Sequence, residues 1–169
     1  MKMSKFIRQT LPLFATILLL SLPYQAWAAD KDYVLNTAST GGTYHPVGTA
    51  IATLTKVKLL PKQKFSLTAV NSAGSGANVQ ALGAGTADFA ILQGLYGSYA
   101  ATGTGPISEP QKNLRSVTML WQNVEQFLVA NEKVNSGTVT DLMGLKGQSA
   151  GMGKQNSGTL GSNLSLIHI

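Results

Sequence analysis

Apolar and polar residues follow one another in segments that predict short strands, each followed by a turn of small residues. Tyr33–Asn36 ("YVLN") and Phe65–Val70 ("FSLTAV") are apolar or alternating segments of strand length. Asp88–Leu92 ("DFAIL") is a nearly continuous apolar run, which is typical of a strand that is buried on both faces. The first half of the chain therefore predicts at least three strands.

Segments with helical spacing separate these strands. Apolar residues recur from Val47 at intervals of three and four, which predicts a helix to about Lys58 that ends at "LLP", residues 59–61. A second helix is predicted from about Ala77 to the glycines at 83–85, and a third over residues 95–101. Strands that alternate with helices through short connections predict an α/β fold with a mostly parallel sheet.

The second half of the chain has a different pattern. Three further strands are predicted over residues 114–121, 126–130 and 148–152, with polar loops and a short helix between them. We place a crossover between two lobes near Asn123. Beyond it, "GKQNSGTLGSN" is one more turn rich in glycine and hydroxyl residues.

The first 28 residues have the pattern of a secretion signal. Lys2, Lys5 and Arg8 precede the apolar run Leu11–Leu22, and "AWA" at residues 26–28 supplies small residues at a cleavage position. The apolar run is shorter than the roughly 20 residues of a membrane span, so an uncleaved anchor is the weaker alternative. We predict a periplasmic protein with a cleaved signal.

Charge and cysteine content narrow the class of protein. The formal net charge is +6, but three of the 13 Lys and Arg residues belong to the signal. The lysines between Lys56 and Lys64 have no interleaved aromatic residues, so they indicate a solvated helix end and no nucleic-acid partner. The absence of cysteine favours a globular periplasmic domain over a small disulfide-rich module.

Known catalytic and cofactor motifs do not fit the sequence. The series Gly74-x-Gly76 would need a third glycine where Val79 stands, so the dinucleotide fingerprint is absent. His45 and His168 are far apart in sequence, and with scattered carboxylates they indicate neither a catalytic triad nor a metal site. We predict no cofactor and no enzymatic activity; a periplasmic enzyme on the same fold is the less favoured alternative.

The small-residue turns favour binding chemistry. In an open parallel sheet, the turns after Asn36, Val70 and Leu92 face one crevice at the carboxyl ends of the strands. Glycine turns and helix N-termini expose N–H groups that hold anions, and Ser and Thr hydroxyls can donate to carboxylates. Four such turns in one exported α/β chain predict a site for an anionic ligand.

Four motifs resemble the TAXI family of solute receptors for TRAP (tripartite ATP-independent periplasmic) transporters. They are "STGGTYHPVGTAIATL", "NSAGSGANVQALGAGTADFAILQ", "LRSVTMLWQNVEQFLVA" and "DLMGLKGQSAGMGKQNSGT", and they cover Asp32 to about Thr159. The resemblance implies a periplasmic binding protein type II-like fold whose two lobes, with mostly parallel sheets, close over a small acidic solute, glutamate-like or a dicarboxylate. It also implies delivery to TRAP permease subunits, which provide the protein's contact with the membrane. A ligand-sensing subunit for a signalling kinase is the alternative.

The resemblance places ligand contacts in all four turns, the fourth of which belongs to the second lobe. His45 stands where the family pattern leads us to expect a second aromatic hydroxyl. The implied ligand-binding residues are Thr40, Gly41, Gly42, Thr43, Tyr44, Ser72, Gly74, Ser75, Gln93, Asn156, Ser157, Gly158 and Thr159.

The similarity stops after Thr159, where the family's receptors continue. "LGSNLSLIHI" does not resemble the expected helix, and its apolar residues from Leu164 lack helical spacing. We expect a truncated receptor with an incomplete second lobe, poor stability and weak ligand binding. The predicted divisions are a signal over 1–28, lobe one over 29–123, partial lobe two over 124–159 and a non-native or truncated tail over 160–169.

Overall fold

The predicted strands of the first half form one parallel sheet. The computed structural model describes residues 30–167. Its strands are β1 (Lys31–Asn36), β2 (Phe65–Val70) and β3 (Phe89–Ala90), in the spatial order β2–β1–β3. The α/β fold with a parallel sheet is thereby confirmed, whereas the predicted secretion signal lies outside the described residues.

The central strand β1 sets the register of the sheet. Leu35 stands opposite Ala69 of β2 and Phe89 of β3, and both pairings are parallel. β3 is shorter than the predicted run from Asp88 to Leu92. The residues that flank β3 nevertheless pair with β1. The backbone N–H of Asp88 donates to the Val34 carbonyl at 3.1 Å, and that of Ile91 donates to the Asn36 carbonyl at 3.0 Å. The third strand is therefore a short edge contact.

Helices connect the strands and continue beyond them. The α-helices of the described residues are α1 (Tyr44–Leu54), α2 (Leu60–Gln63), α3 (Ser75–Gly83), α4 (Gly94–Thr102) and α5 (Gly158–Ile167). Two 3₁₀ segments, Asn131–Lys133 and Val139–Leu145, lie in the second half. The three helices predicted before residue 102 correspond to α1, α3 and α4.

The first helix does not end at Pro61 as predicted. A π-helical segment, Thr55–Leu59, joins α1 to α2, and Pro61 stands in the first turn of α2. A proline is tolerated there because its missing N–H has no intrahelical partner to lose. The helical path ends at Lys64, whose φ of 56° is left-handed, and the chain then enters β2.

Two apolar clusters hold these elements together. Leu35, Leu67 and Ile91 pack with Ala52 of α1, so one cluster joins the sheet to the first helix. The other joins α3 to α4 and the following loop through Val79, Tyr96, Ala100 and Ile107. The buried residues of both clusters lie between Leu35 and Ile107.

The three strands predicted beyond residue 113 are not present in the described part of the chain. Residues 114–121, 126–130 and 148–152 follow irregular paths without a ladder. Their apolar residues are largely exposed, with Met119 at 89% and Leu128 at 98%. These segments have the residue pattern of strands, but a strand also needs a neighbouring strand with which to form backbone hydrogen bonds.

Helix α5 corrects the expectation that the end of the chain lacks a helical pattern. Its contacts come from small residues: a Cβ added to Gly161 would lie 2.4 Å from the Tyr96 ring of α4. Ser162, beside it, is buried. A search for regularly spaced large apolar residues misses a helix that packs through glycine and serine.

The close approach of α1 to the end of β1 generates a stability prediction. A Cβ at Gly48 would lie 2.3 Å from Cγ2 of Thr37, a fully buried residue. We expect Gly48→Ala to lower the free energy of unfolding by about 1–3 kcal/mol, because neither group can move without shifting the strand end. Thermal and urea melts measure the effect.

Gly97→Ala in α4 is the matched control. A Cβ there meets nothing within 4 Å, and alanine is favoured over glycine in a helix by up to about 1 kcal/mol. Its stability should equal or exceed that of the unaltered protein. A Gly48→Ala variant as stable as Gly97→Ala would contradict the described packing of α1.

Candidate functional site

The carboxyl ends of β1, β2 and β3 lie at one edge of the sheet because all pairings are parallel. The turns that follow Asn36, Val70 and Ala90 therefore start side by side. This confirms the predicted convergence of the first three turns. We call this edge the carboxyl edge.

Two buried polar side chains tie the strand ends together. Asn78 of α3 is fully buried, and its Nδ2 donates to the carbonyl oxygens of Thr37 at 2.7 Å and Ile91 at 2.9 Å. The Thr37 hydroxyl donates to the carbonyl oxygen of Val70 at 2.8 Å. The ends of all three strands are thus joined by side-chain hydrogen bonds. Neither residue is predicted as important from the sequence, although an asparagine on the buried face of a helix is a usable signal.

His45 is anchored on the same threonine. Its Nδ1 lies 3.1 Å from Oγ1 of Thr37. Since the Thr37 hydroxyl hydrogen is directed to Val70, the histidine Nδ1–H is the donor in this contact. His45 therefore stands at the start of α1 with its ring fixed against the strand end.

The second and third turns are joined by Ser75. Its Oγ accepts from the backbone N–H of Gln93 at 3.0 Å. Ser72 makes the preceding turn, because its hydroxyl donates to the Thr37 carbonyl and accepts from the Gly74 N–H. Both serine hydroxyls, predicted to contact ligand, thus have structural partners.

The fourth turn lies against the second and third. The backbone N–H groups of Gly76 and Ala77, at the start of α3, donate to the carbonyl oxygen of Asn156 at 3.0 and 3.4 Å. A Cβ at Gly158 would lie 2.8 Å from Ser75 Oγ and 2.9 Å from Gln93 Oε1. Only a glycine at position 158 allows the fourth turn to lie this close to Ser75 and Gln93. Asn156 contributes its backbone carbonyl, whereas a side-chain contact with ligand was predicted.

The first turn lies close to the other three turns through Tyr44. Its ring makes an edge contact with Trp121, at 5.7 Å between centroids. Burial raises the pKa of the Tyr44 hydroxyl, a hydrogen bond from Ser75 opposes that change, and the negative charge of Glu125 adds to it. The Tyr44 hydroxyl is thus close to the second turn. Other predicted residues, Thr40, Gly41, Thr43 and Thr159, are exposed.

Glu125 is a site residue that sequence analysis missed. Its Oε1 accepts from Nε2 of Gln93 at 3.2 Å. It lies in an irregular segment whose apolar pattern predicts a strand, and this pattern gives no reason to single out one carboxylate. Arg115, by contrast, donates to the carbonyl oxygens of Lys112 and Leu114 within its own loop.

Helices α1, α3 and α4 all begin at the carboxyl edge, and none has a side-chain N-cap. The first N–H groups of a helix lack intrahelical partners, and the helix dipole makes this end partially positive. Three such ends in one place favour an oxygen acceptor or an anion. Residues 30–167 contain no group of His, Asp and Glu suited to a metal ion.

The comparison with known families agrees with this geometry. The sequence matches the NMT1-like family over residues 35–169. The chain belongs to the NMT1-like family. This family is part of the periplasmic binding protein type II-like group, which includes the solute-binding proteins of TRAP transporters. NMT1-like proteins are binding proteins that typically work outside the cytoplasm, which assigns this chain a general solute-binding role.

The membership confirms the periplasmic-binding-protein-like fold expected from the sequence. It does so at the level of the wider group, and the TAXI resemblance stays a prediction. Among the helices of residues 30–167, none is long and apolar enough to cross a bilayer.

The hydrogen bonds of Asn78 generate a second stability prediction. Asn78→Ala removes the donor to the Thr37 and Ile91 carbonyls and leaves a buried acceptor unsatisfied at Ile91. We expect the free energy of unfolding to fall by about 2–4 kcal/mol. The exposed Gln80 of the same helix is the control, and Gln80→Ala should change stability by no more than about 0.5 kcal/mol. Equal melts for the two variants would contradict the role of Asn78.

Proposed function

We propose that this chain is a TAXI-type receptor that captures a small acidic solute, glutamate-like or a dicarboxylate, and delivers it to a TRAP-type permease. The observation that carries the proposal is the convergence of three helix N-termini without side-chain caps at the carboxyl edge. Family membership supports the general solute-binding role.

The contact at α3 supports an oxygen ligand. Gly76 and Ala77 donate both of their N–H groups to one carbonyl oxygen, that of Asn156. A carboxylate oxygen is a stronger acceptor than a carbonyl, because hydrogen bonds to an ionised acceptor are roughly twice as strong. A bound carboxylate either replaces Asn156 at α3 or takes the N–H groups at the starts of α1 and α4.

Side chains around these helix ends fit an acidic solute. The Tyr44 hydroxyl and the Gln93 amide supply donors, and burial raises the pKa of the Tyr44 hydroxyl further above neutral pH. In the proposed arrangement, lobe one comprises residues 29–123. The chain beyond it supplies the Asn156–Gly158 turn from the partial second lobe. Export by the signal over residues 1–28 completes this proposal.

Ligand binding is tested by thermal shift and calorimetry on the purified chain with L-glutamate, glutarate, succinate and neutral L-alanine. An acidic solute at a hundredfold excess over its Kd should stabilise the protein by about 2.7 kcal/mol, a rise of several degrees in Tm. L-Alanine should have a much smaller effect. Stabilisation by none of the acids would contradict the proposed ligand class.

A variant pair ties binding to the carboxyl edge. Gln93→Ala should weaken binding at least tenfold, whereas Gln148→Ala, at an exposed position outside the four turns, should leave the Kd within about twofold. Equal Kd values for the two variants would place the ligand elsewhere. The transport step is tested by solute uptake into vesicles with a TRAP-type permease, which should depend on added receptor.

A further inference from the structure

The chain itself supplies the oxygen that occupies the start of α3. The carbonyl oxygen of Asn156 accepts from the N–H groups of Gly76 and Ala77 at 3.0 and 3.4 Å. Asn156 has a φ of 61°, a left-handed conformation that is uncommon for residues other than glycine. The fourth turn thus presents to α3 the same kind of acceptor that a bound carboxylate supplies.

The glycines of the second turn leave room for this contact. A Cβ at Gly74, which has a φ of 122°, would lie 3.1 Å from Cα of Ser157. A Cβ at Gly76 would lie 3.0 Å from the carbonyl oxygen of Asn156. The space that these glycines open, in a turn predicted to contact ligand, is therefore filled by the fourth turn.

Helix α5 holds the fourth turn in place. It lies against α4, where a Cβ at Gly161 would be 2.4 Å from the ring of Tyr96. The residues before the turn, 148–151, are exposed and irregular, and Asn156 itself is exposed. Residues 153–167 can therefore leave α3 and α4 without breaking a hydrogen bond of the three-stranded sheet. We call these residues the latch.

We infer that the latch is an autoinhibitory element: when docked, it occupies the N–H groups of α3, and a solute that binds there must displace it. The inference rests on the proposed function, which places an anionic solute at the carboxyl edge. The observed Kd then exceeds that of the open form in proportion to the docked population. This reverses the effect implied by the family resemblance, in which residues 156–159 contact the ligand and strengthen its binding.

Two substitutions displace the latch in different ways. Gly161→Ala places a methyl group against the Tyr96 ring, whereas Gly153→Ala puts a side chain on a residue with a φ of 104°. Both positions lie outside the predicted ligand-binding residues. Gly151→Ala, where a Cβ meets nothing within 4 Å, is the matched control.

Amide hydrogen exchange on the full chain, followed by NMR, measures docking without any ligand. Exchange at Gly76 should accelerate at least about tenfold in both latch variants and stay unchanged in the control, because opening frees its N–H. Protection of Leu35 in β1 should persist in all three variants, which shows that the sheet is folded. Calorimetry with succinate and glutarate should give a Kd at least about threefold lower for the latch variants than for the unaltered protein and the control.

Each other outcome has a distinct meaning. Higher Kd values in both latch variants would show that the fourth turn contacts the ligand, and the inference would be wrong. Unchanged exchange at Gly76 would also overturn it, since the latch would then not cover α3. If Gly76 exchange accelerates but both Kd values stay the same, the solute binds away from α3, and the inference fails while the proposed function stands. If neither acid binds the unaltered protein or any variant, the proposed function itself fails, and the inference falls with it.

Discussion

The parallel pairing of three short strands is the constraint on which the site depends. It brings the ends of β1, β2 and β3 to one edge, and the starts of α1, α3 and α4 follow from there. Asn78 and Thr37 hold these ends in position by side-chain hydrogen bonds within the buried interior. The polar interior is therefore as important to the site as the apolar clusters beside it.

Much of the sheet and of the helices that connect its strands could be predicted from the sequence, because strand and helix patterns are local. "YVLN", "FSLTAV" and the apolar run from Asp88 have strand patterns, and the helices between them have regular spacing. A parallel sheet then follows from the order of elements. The connections of Asn78 could not be predicted, since they join positions that only the folded sheet brings together.

The second half shows why pattern alone is insufficient. Residues 114–121 have a strand pattern, yet within the described residues they pair with no neighbouring strand and follow an irregular path. Helix α5 shows the reverse, because it approaches Tyr96 through Gly161, a residue that no search for apolar spacing selects. Glu125 could not be singled out from the sequence either, because its hydrogen bond with Gln93 joins residues that only the folded chain brings together.

Backbone amide shifts measured by NMR during titration with L-glutamate show directly where the solute binds. If it binds at the carboxyl edge, the largest changes fall on the amides of Tyr44, His45, Gln93 and Gly94, while Lys31 at the opposite edge stays unchanged. A cavity of about 330 Å³ lies elsewhere, between α3 and residues 106–111. Shifts confined to the residues of that cavity, with none at the helix N-termini, would contradict binding at the carboxyl edge.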